Sequence, residues 1–421
     1  MPELKNKNEY GLMAMLVCLA LSSMTSTSTI ISPLMSEYVI YYTALGYSAS
    51  TVKLIMSLPK LTTLLVTLIG VGYLIDHVDN KTLGIIGTAG VGVFGILCAF
   101  IIPLPLVLIC RGLQGCFLGL VAPFFVGYLG RLWEGGAFKR LVGLKQSSAA
   151  LFSTIGSLVV SALTINFGFT GAYYWFILDI VLAVMIAIFL PSMPAPTKEE
   201  RAAEKAKADA GKANGSKLPS VDDEESRKAR NVLFLVAFAF LCMNVIRFGV
   251  YSQLTFCITE NGGTTAAASV AQSLRSASAG VFAIFYKEAS KYLKKYQLPS
   301  ALVICAIGMY LIGVGRGVAT VYIGAIIFGG FYGLITPAFN NAANNAKKKG
   351  CTVNVKNAGI MVIAQDLGSF LSAYIMEPLF RVLNVTTASG EMITCAALFG
   401  VSGAIVCIIL LFRGNKTASV S

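Results

Sequence analysis

The chain has 421 residues, of which 56% are hydrophobic and only 13% are charged. Soluble domains carry about 25% charged residues, so this composition excludes an ordinary soluble protein and indicates an integral membrane protein. The formal net charge of +13 would suit a nucleic-acid binder, but the positions of the basic residues argue against that class.

Twelve apolar segments approach or exceed the ~20 residues that a helix needs to cross a bilayer. The first six spans are predicted at 11–41, 49–75, 83–103, 104–130, 141–166 and 171–191. The other six are predicted at 231–258, 264–287, 298–315, 318–343, 355–380 and 391–412. The first run is too long for a cleavable signal peptide. The expected fold is therefore an all-α polytopic membrane protein with twelve transmembrane helices.

A hydrophilic stretch divides these spans into two equal sets. Residues 192–230 are rich in Lys, Glu, Asp and Ala and contain no aromatic residue. Such a tract cannot bury enough apolar surface to fold alone, which predicts a solvated linker. We therefore expect six-helix bundles at residues 1–191 and 231–421, on either side of a linker at 192–230.

The basic residues predict the orientation, because cytoplasmic loops of membrane proteins are enriched in Lys and Arg. Of the 33 Lys and Arg residues, 26 fall in the termini, the linker and the loops on the same side as these. Both termini and the linker should therefore be cytoplasmic, with the protein in the plasma (inner) membrane. The positive charge then reports topology, and no nucleic-acid partner is expected.

The two halves of the sequence resemble each other, as in transporters built from repeats. Residues 115–123 (GCFLGLVAP) and 329–337 (GGFYGLITP) share Gly, Phe, Gly, Leu and Pro at the same spacing. Gly-Ser pairs recur at 156–157 and 368–369, and Ser-Leu pairs at 57–58 and 273–274. On this alignment, Lys60 and Arg275 occupy equivalent positions. The repeats predict two pseudo-symmetric bundles.

Two motifs carry a resemblance to the major facilitator superfamily of secondary transporters. The segment 72–81 (GYLIDHVDNK) is similar to the family's G-x-L-x-D-R-x-G-R-K signature at Gly72, Leu74, Asp76 and Lys81. Residues 111–115 (RGLQG) look like its R-x-x-Q-G motif. The resemblance implies that the Asp76 loop with Lys81 acts as a conformational latch. It also implies that Arg111, with Gln114, serves proton coupling or the conformational cycle. The Gly-Pro antiporter signature expected on the fifth span is missing.

Charged residues inside the predicted spans point to a site. An ionisable side chain near the bilayer centre costs ~2.5–3.5 kcal/mol and usually faces protein or a water-filled cavity. Lys60, Arg247 and Arg275 are predicted near mid-membrane and are candidate ligands for an anion, with Asn244 and Gln272 one turn away from the arginines. Asp366 is the candidate protonatable carboxylate. Alternatively, Lys60 and Arg275 pair with Asp366 or Asp179 and only hold helices together.

The expected function is secondary active transport of a small, anionic solute by alternating access, coupled to protons. We expect no enzyme activity, no cofactor and no metal: no P-loop is present, and the ten cysteines show no CxxC spacing. The protein is expected to work as a monomer, with the solute, protons and the bilayer as partners. The first alternative is a multidrug efflux antiporter, and the second is a non-transporting membrane sensor with the transporter fold.

Overall fold

The computed structural model describes residues 12–23, 30–121, 132–133, 135–192, 224–347 and 356–418. In the first half, the α-helices are α1 (Leu12–Ser23), α2 (Met35–Ala44), α3 (Ala49–His77), α4 (Asn80–Leu97), α5 (Leu104–Val121), α6 (Gly135–Phe167) and α7 (Ile177–Phe189). Short 3-10 helices at Ser32–Leu34 and Phe169–Phe176 precede α2 and α7. Helix α5 packs on α3 and on α4, and α7 packs on α4.

The second half repeats this arrangement. Its α-helices are α8 (Glu224–Glu260), α9 (Thr265–Ile284), α10 (Tyr286–Leu293), α11 (Gln297–Val314), α12 (Val318–Lys347), α13 (Lys356–Val382) and α14 (Ala388–Ala418). A 3-10 turn at Lys294–Tyr296 joins α10 to α11. Within this bundle, α12 packs on α9 and α11, α14 packs on α11, and α13 packs on α8.

Among the described residues, which leave out 122–130 of the fourth span, the predicted spans match these helices to within a few residues, and three larger differences have local causes. The first span comprises two helices, because Pro33 lies in a 3-10 turn in front of α2. The third span ends early, at Leu97 rather than 103, ahead of Pro103 and Pro105. Helix α8 begins at Glu224, inside the stretch predicted as linker. Its first turns are polar and project beyond the apolar part of the helix, which hydropathy alone cannot detect.

Helix length and composition support a membrane protein. Among the described residues, eight helices are long and apolar enough to span a membrane, and two shorter apolar helices lie at Leu12–Leu21 and Lys81–Leu97. Helices α9 and α13 fall outside that set although they are 20 and 27 residues long. Both carry many polar residues, including Arg275 and Asp366, and both contact the other bundle.

The glycines of the internal repeat make equivalent close contacts in the two bundles. A Cβ on Gly115 of α5 would overlap the backbone of α3 at Pro59, and a Cβ on Gly329 of α12 would overlap the backbone of α9 at Arg275. One turn further on, Gly119 approaches Thr63, and Gly333 approaches Ala279. The repeat in the sequence is therefore a repeat of helix packing.

This packing corrects one sequence prediction. The glycine contacts align Pro59 with Arg275 and therefore Lys60 with Ser276, so Lys60 and Arg275 are not equivalent positions. The sequence alignment placed a one-residue gap in this segment, and an uninterrupted helix has no room for it. One residue turns a side chain by about 100° around the helix axis. The two cations therefore point in different directions within their bundles.

The bundles meet along two antiparallel helix pairs, α6 with α9 and α3 with α13. In the first pair, the hydroxyl of Ser273 donates to the carbonyl oxygen of Thr154 at 3.0 Å, and the hydroxyls of Ser153 and Ser276 lie 3.1 Å apart. Gly280 lies against the methyl group of Ala150, where a Cβ would come within 2.7 Å. Small residues thus let these two helices approach closely.

One side of the bundle interface is closed. We call it the distal side; it carries the loops at 45–48 and 261–264. Lys53 and Glu377 join α3 to α13 across it, with Nζ 3.3 Å from Oε2. The Thr265 hydroxyl donates to Glu37, and the Thr255 hydroxyl donates to the carbonyl oxygen of Ser32 at 3.1 Å. All three contacts join the first bundle to the second.

Candidate functional site

A buried ion pair joins the two bundles midway along α3 and α13. Lys60 Nζ lies 3.6 Å from Asp366 Oδ1, and each side chain is no more than a tenth exposed. Of the alternatives that the sequence left open, the structure thus brings Lys60 to Asp366. Asp179 is buried in α7, and its Oδ2 has no hydrogen-bond partner among the described residues.

Arg275 is held within its own bundle by α8 and α9. Its Nε donates to Gln272 Oε1 at 2.9 Å, and its Nη2 donates to the Ser276 hydroxyl at 3.3 Å. The centre of the guanidinium lies 3.9 Å from the centroid of the Tyr251 ring. Gln272 in turn donates from Nε2 to the backbone oxygen of Tyr251 at 3.1 Å. Gln272, predicted as a substrate ligand, therefore orients Arg275.

Arg247 lies against two aromatic rings. Its guanidinium carbon is 4.9 Å from the centroid of Tyr251 and 4.8 Å from that of Tyr332, and its Nη1 donates to the Tyr251 hydroxyl at 3.2 Å. Its Nε is buried and has no hydrogen-bond partner among the described residues. Buried donors are nearly always satisfied, so this atom marks a place for an acceptor.

Asn244 is fully buried, and its described contacts are with residues of its own bundle. Its Nδ2 donates to the carbonyl oxygen of Phe240 at 2.7 Å, and its Oδ1 lies 3.5 Å from the Tyr332 hydroxyl. Because it contacts the ring that supports Arg247, Asn244 helps to position that arginine. Asn244 lies one turn from Arg247, as predicted, but its described contacts give it a supporting role.

The cluster as a whole has more positive than negative groups. Lys60, Arg247 and Arg275 surround a single described carboxylate, Asp366, whose charge reaches Arg247 as well as Lys60. Tyr251 interacts with both arginines and lies within electrostatic range of Lys60. The site therefore offers an excess of cations in a largely buried place between the two halves of the molecule.

The two tyrosines were missed by the sequence analysis. Tyr251 stands four residues after Arg247 on the same helix, and side chains at that spacing are neighbours. The spacing could have revealed this pair. Tyr332 comes from α12, distant in sequence, and no local pattern predicts its contact with Arg247.

A small pocket lies on the distal side of the Lys60–Asp366 pair. Its lining includes Lys53, Ser57, Gln253, Ser372 and Glu377, and its volume is about 30 Å³. The Ser57 hydroxyl is buried there without a partner among the described residues. Such a volume admits a water molecule but no solute. The contact of Lys53 with Glu377, which joins the two bundles, forms part of the wall of this pocket.

Arg111 lies in the first bundle and contacts groups of that bundle. It is completely buried, its Nε donates to the carbonyl oxygen of Ile55 at 3.0 Å, and its Nη1 donates to Gln114. Gln114 donates onward to the carbonyl oxygen of Val91 at 3.2 Å, and the guanidinium lies 5.8 Å from the Phe176 ring centroid. The R-x-x-Q-G segment therefore connects α5 to α3, to α4 and to the 3-10 helix in front of α7.

The sequence of the chain matches a known family over most of its length. The model of the Major Facilitator Superfamily matches residues 13–373. The chain belongs to this superfamily. It is therefore a secondary transporter, and the predicted fold of two six-helix bundles is confirmed. No curated protein sequence matches it significantly.

Solved structures of superfamily transporters have the same fold. A mutant of peptide transporter POT in complex with sulfate superposes with a TM-score of 0.72 at 15% identity, covering 96% of this chain and 95% of that one. A POT family transporter with a thioalcohol-conjugated peptide gives 0.70 at 14% identity and 96% of both chains. One with 5-aminolevulinic acid gives 0.66 at 14% identity and 97% and 98% coverage. Identities this low support the fold alone.

The superfamily signature loop joins α3 to α4. The side chain of Asp76 lies outside the described residues, and Lys81 is half-buried in the first turn of α4. Asp79 replaces the glycine of the signature and caps α4, accepting from the backbone N–H of Thr82 at 3.3 Å. An aspartate at this position satisfies a helix N-terminus, which accounts locally for the departure from the motif.

Proposed function

We propose that this superfamily transporter carries a small anion at the cluster of Lys60, Arg247 and Arg275. The observation that carries the proposal is the buried excess of cations between the bundles, together with the unpartnered Nε of Arg247. Unbalanced buried charge is costly, so a site of this kind is stabilised by a negatively charged ligand. Guanidinium groups are well suited to carboxylate, sulfate or phosphate groups.

The ion pair between the bundles suggests how anion binding is coupled to protons. An anion that binds Lys60 competes with Asp366 for the same ammonium group. A buried carboxylate that loses its cation is stabilised by taking up a proton. In this proposal, anion and proton therefore bind together, and rocking of the bundles carries both across the membrane. Asp76 with Lys81, and Arg111 with Gln114, are proposed to act in that conformational change.

The direct test is solute uptake by purified protein in proteoliposomes, with and without an inward proton gradient. The panel contains small carboxylates, phosphate, sulfate, a dipeptide, 5-aminolevulinic acid and lipophilic cations; the dipeptide and 5-aminolevulinic acid are included because POT transporters of similar fold bind such compounds. We expect anion flux in the wild type and its loss in Lys60→Gln and Arg275→Gln. Arg316→Gln, an exposed loop arginine, is the matched control. Flux of lipophilic cations that ignored both variants would contradict the proposal.

Proton coupling has its own variant. Asp366→Asn removes the carboxylate and keeps its shape, so it should abolish the dependence of uptake on the proton gradient. Exchange of internal for external anion, which needs no net proton movement, should persist. Gradient-dependent uptake by Asp366→Asn would exclude this residue as the proton carrier.

The remaining alternatives have weaker support. Multidrug efflux receives none from the comparisons, and the described cluster is charged where a drug site would be apolar. A sensor without transport does not follow from membership of a transporter superfamily.

We further propose bundles at 1–191 and 231–421, cytoplasmic termini, a plasma-membrane location and a monomeric state. Labelling of single cysteines placed near each terminus, in intact and permeabilised cells, would test the orientation.

A further inference from the structure

Tyr251 lies at the centre of the basic cluster. Both arginine side chains of the cluster lie near its ring, with guanidinium carbons 3.9 Å (Arg275) and 4.9 Å (Arg247) from the centroid. Its hydroxyl accepts from Arg247, and its backbone oxygen accepts from Gln272, which also holds Arg275. One residue therefore contacts both arginines and the residue that orients one of them.

An aromatic ring supports a buried arginine differently from a carboxylate. A carboxylate binds the N–H groups of the guanidinium edge, and those donors are then no longer available. A ring attracts the cation through its face and takes up none of the edge donors. Consistent with this, Arg247 is held by two rings, and its Nε remains buried without an acceptor among the described residues.

We propose that Tyr251 is a positioning residue that holds Arg247 and Arg275 as a joint receptor for an oxyanion and so determines selectivity. This inference rests on the proposed anion transport and specifies its substrate class. The planar fork of a guanidinium matches ligands with two or more oxygens, such as carboxylate, sulfate or phosphate. A monatomic anion such as chloride offers a single acceptor atom and therefore cannot form two parallel hydrogen bonds to the fork.

The inference separates the roles of the ring and the hydroxyl. Tyr251→Phe keeps the ring and removes one hydrogen bond to Arg247. Tyr251→Leu and Tyr251→Met remove the ring and keep an apolar side chain of useful size. Tyr310→Leu, on an exposed tyrosine of α11, is the matched control for loss of an aromatic residue.

The first measurement is transport of the anion carried fastest by the wild type. Loss of the ring should raise KM at least tenfold, since both arginines lose their support, and should leave kcat within about twofold. Tyr251→Phe should raise KM by about threefold, as expected for one hydrogen bond. Tyr310→Leu should match the wild type.

The second measurement is thermal stabilisation of the purified protein by sodium sulfate and by sodium chloride at equal ionic strength. Sulfate stabilises proteins in general more than chloride does, so the preference of the ring-removing variants serves as the baseline. We expect the wild type, Tyr251→Phe and Tyr310→Leu to prefer sulfate more strongly than this baseline, at sulfate concentrations of a few millimolar. A purely structural role for the ring would lower stability without changing the preference between the two anions.

The outcomes separate the two proposals. A wild type that carries no anion overturns the proposed function, whatever its stability in the two salts. A wild type that carries and prefers oxyanions, together with a folded Leu or Met variant that keeps the same KM and the same preference, overturns only the role of Tyr251. Two ring-removing variants are used so that poor folding of one leaves the other to decide.

Discussion

The pair of Lys60 and Asp366 is the least exposed of the ion pairs among the described residues. Solvent screens a charge little at such a position, so the loss of one partner leaves the other buried and uncompensated. The pair of Lys53 and Glu377 has similar geometry but is 19% and 30% exposed. The two pairs therefore allow a comparison between burial and surface exposure.

We expect Lys60→Gln and Asp366→Asn each to destabilise the protein by about 3–5 kcal/mol. The double variant, which removes both charges, should be more stable than either single variant. Thermal unfolding of purified protein in detergent measures this, and Lys53→Gln should cost only about 0–1 kcal/mol. If all four variants unfolded alike, the buried pair would have no special energetic role.

Arg111 gives a second prediction at this scale. Lysine keeps the charge but has neither the Nε donor to Ile55 nor the planar fork that reaches Gln114. Arg111→Lys should lower the free energy of unfolding by about 2–3 kcal/mol. Because the described contacts of Arg111 lie within the first bundle, KM for the transported anion should stay near the wild-type value. A large change in KM with unchanged stability would contradict this assignment.

The sequence revealed the charges of the candidate site but only some of their partners. Lys60, Arg247, Arg275 and Asp366 stand out because charged residues are rare inside apolar runs. Tyr251 and Tyr332 do not, since tyrosine is common in membrane helices. The pairing of Lys60 with Asp366 joins residues from different halves of the chain, and no local pattern encodes such a contact.

At the scale of single helices, the repeat glycines determine how closely neighbours approach. We expect Gly115→Ala to destabilise the first bundle by about 1–3 kcal/mol, because the added Cβ would overlap α3 at Pro59. Gly112→Ala, on the same helix, is the control: its Cβ would make an ordinary contact at 3.6 Å with Leu58. Unfolding midpoints and the yield of folded protein compare the two variants.

Equal stability of the two alanine variants would mean that α5 can move away from α3 without cost. Gly329→Ala tests the equivalent position of the second bundle. There the overlap is with the backbone oxygen of Arg275, so we expect this variant to weaken anion binding as well as stability.

Hydropathy predicts where helices cross the membrane but not where they change direction. The eighth span was predicted to continue to residue 287, whereas α9 ends at Ile284 and the amphipathic helix α10 follows. Lys287 and Lys291 lie on α10, and none of its residues is buried. A hydropathy average does not distinguish so polar a helix from a loop. The helix is visible only in the spacing of its apolar and polar residues.

For the whole molecule, three polar contacts among the described residues join the bundles on the distal side. Lys53→Glu or Glu377→Lys alone would place like charges within about 4 Å across the bundle interface. Each should disfavour the distally closed conformation and slow transport several-fold. The double variant, with the charges exchanged, should recover most of the rate. Uptake assays on the two single variants and the double variant test this, and no recovery would exclude the pair as a gate.

The architecture as a whole was readable from the sequence because its signals are long-range averages. Span number, the two-half division and the superfamily depend on apolar runs and spaced motifs that tolerate local error. The alignment of the two halves was wrong by one residue around Lys60. Short motifs can be aligned with a gap between them, whereas a continuous helix does not allow one. That single residue changes which side chains face each other across the site.

Because their positions in the two bundles differ by one residue, Lys60 and Arg275 have different partners. Lys60 pairs with the opposite bundle, and Arg275 packs on its own. If the bundles rock as proposed, the distance between Lys60 and Asp366 changes, whereas Arg275 and Tyr251 move together because both belong to the second bundle. A ligand shifts a conformational equilibrium only by its difference in affinity between the two states. Contacts to Arg275 therefore contribute the same binding free energy in both conformations. Contacts to Lys60 differ between the two conformations, and through them a bound solute can shift the conformational equilibrium.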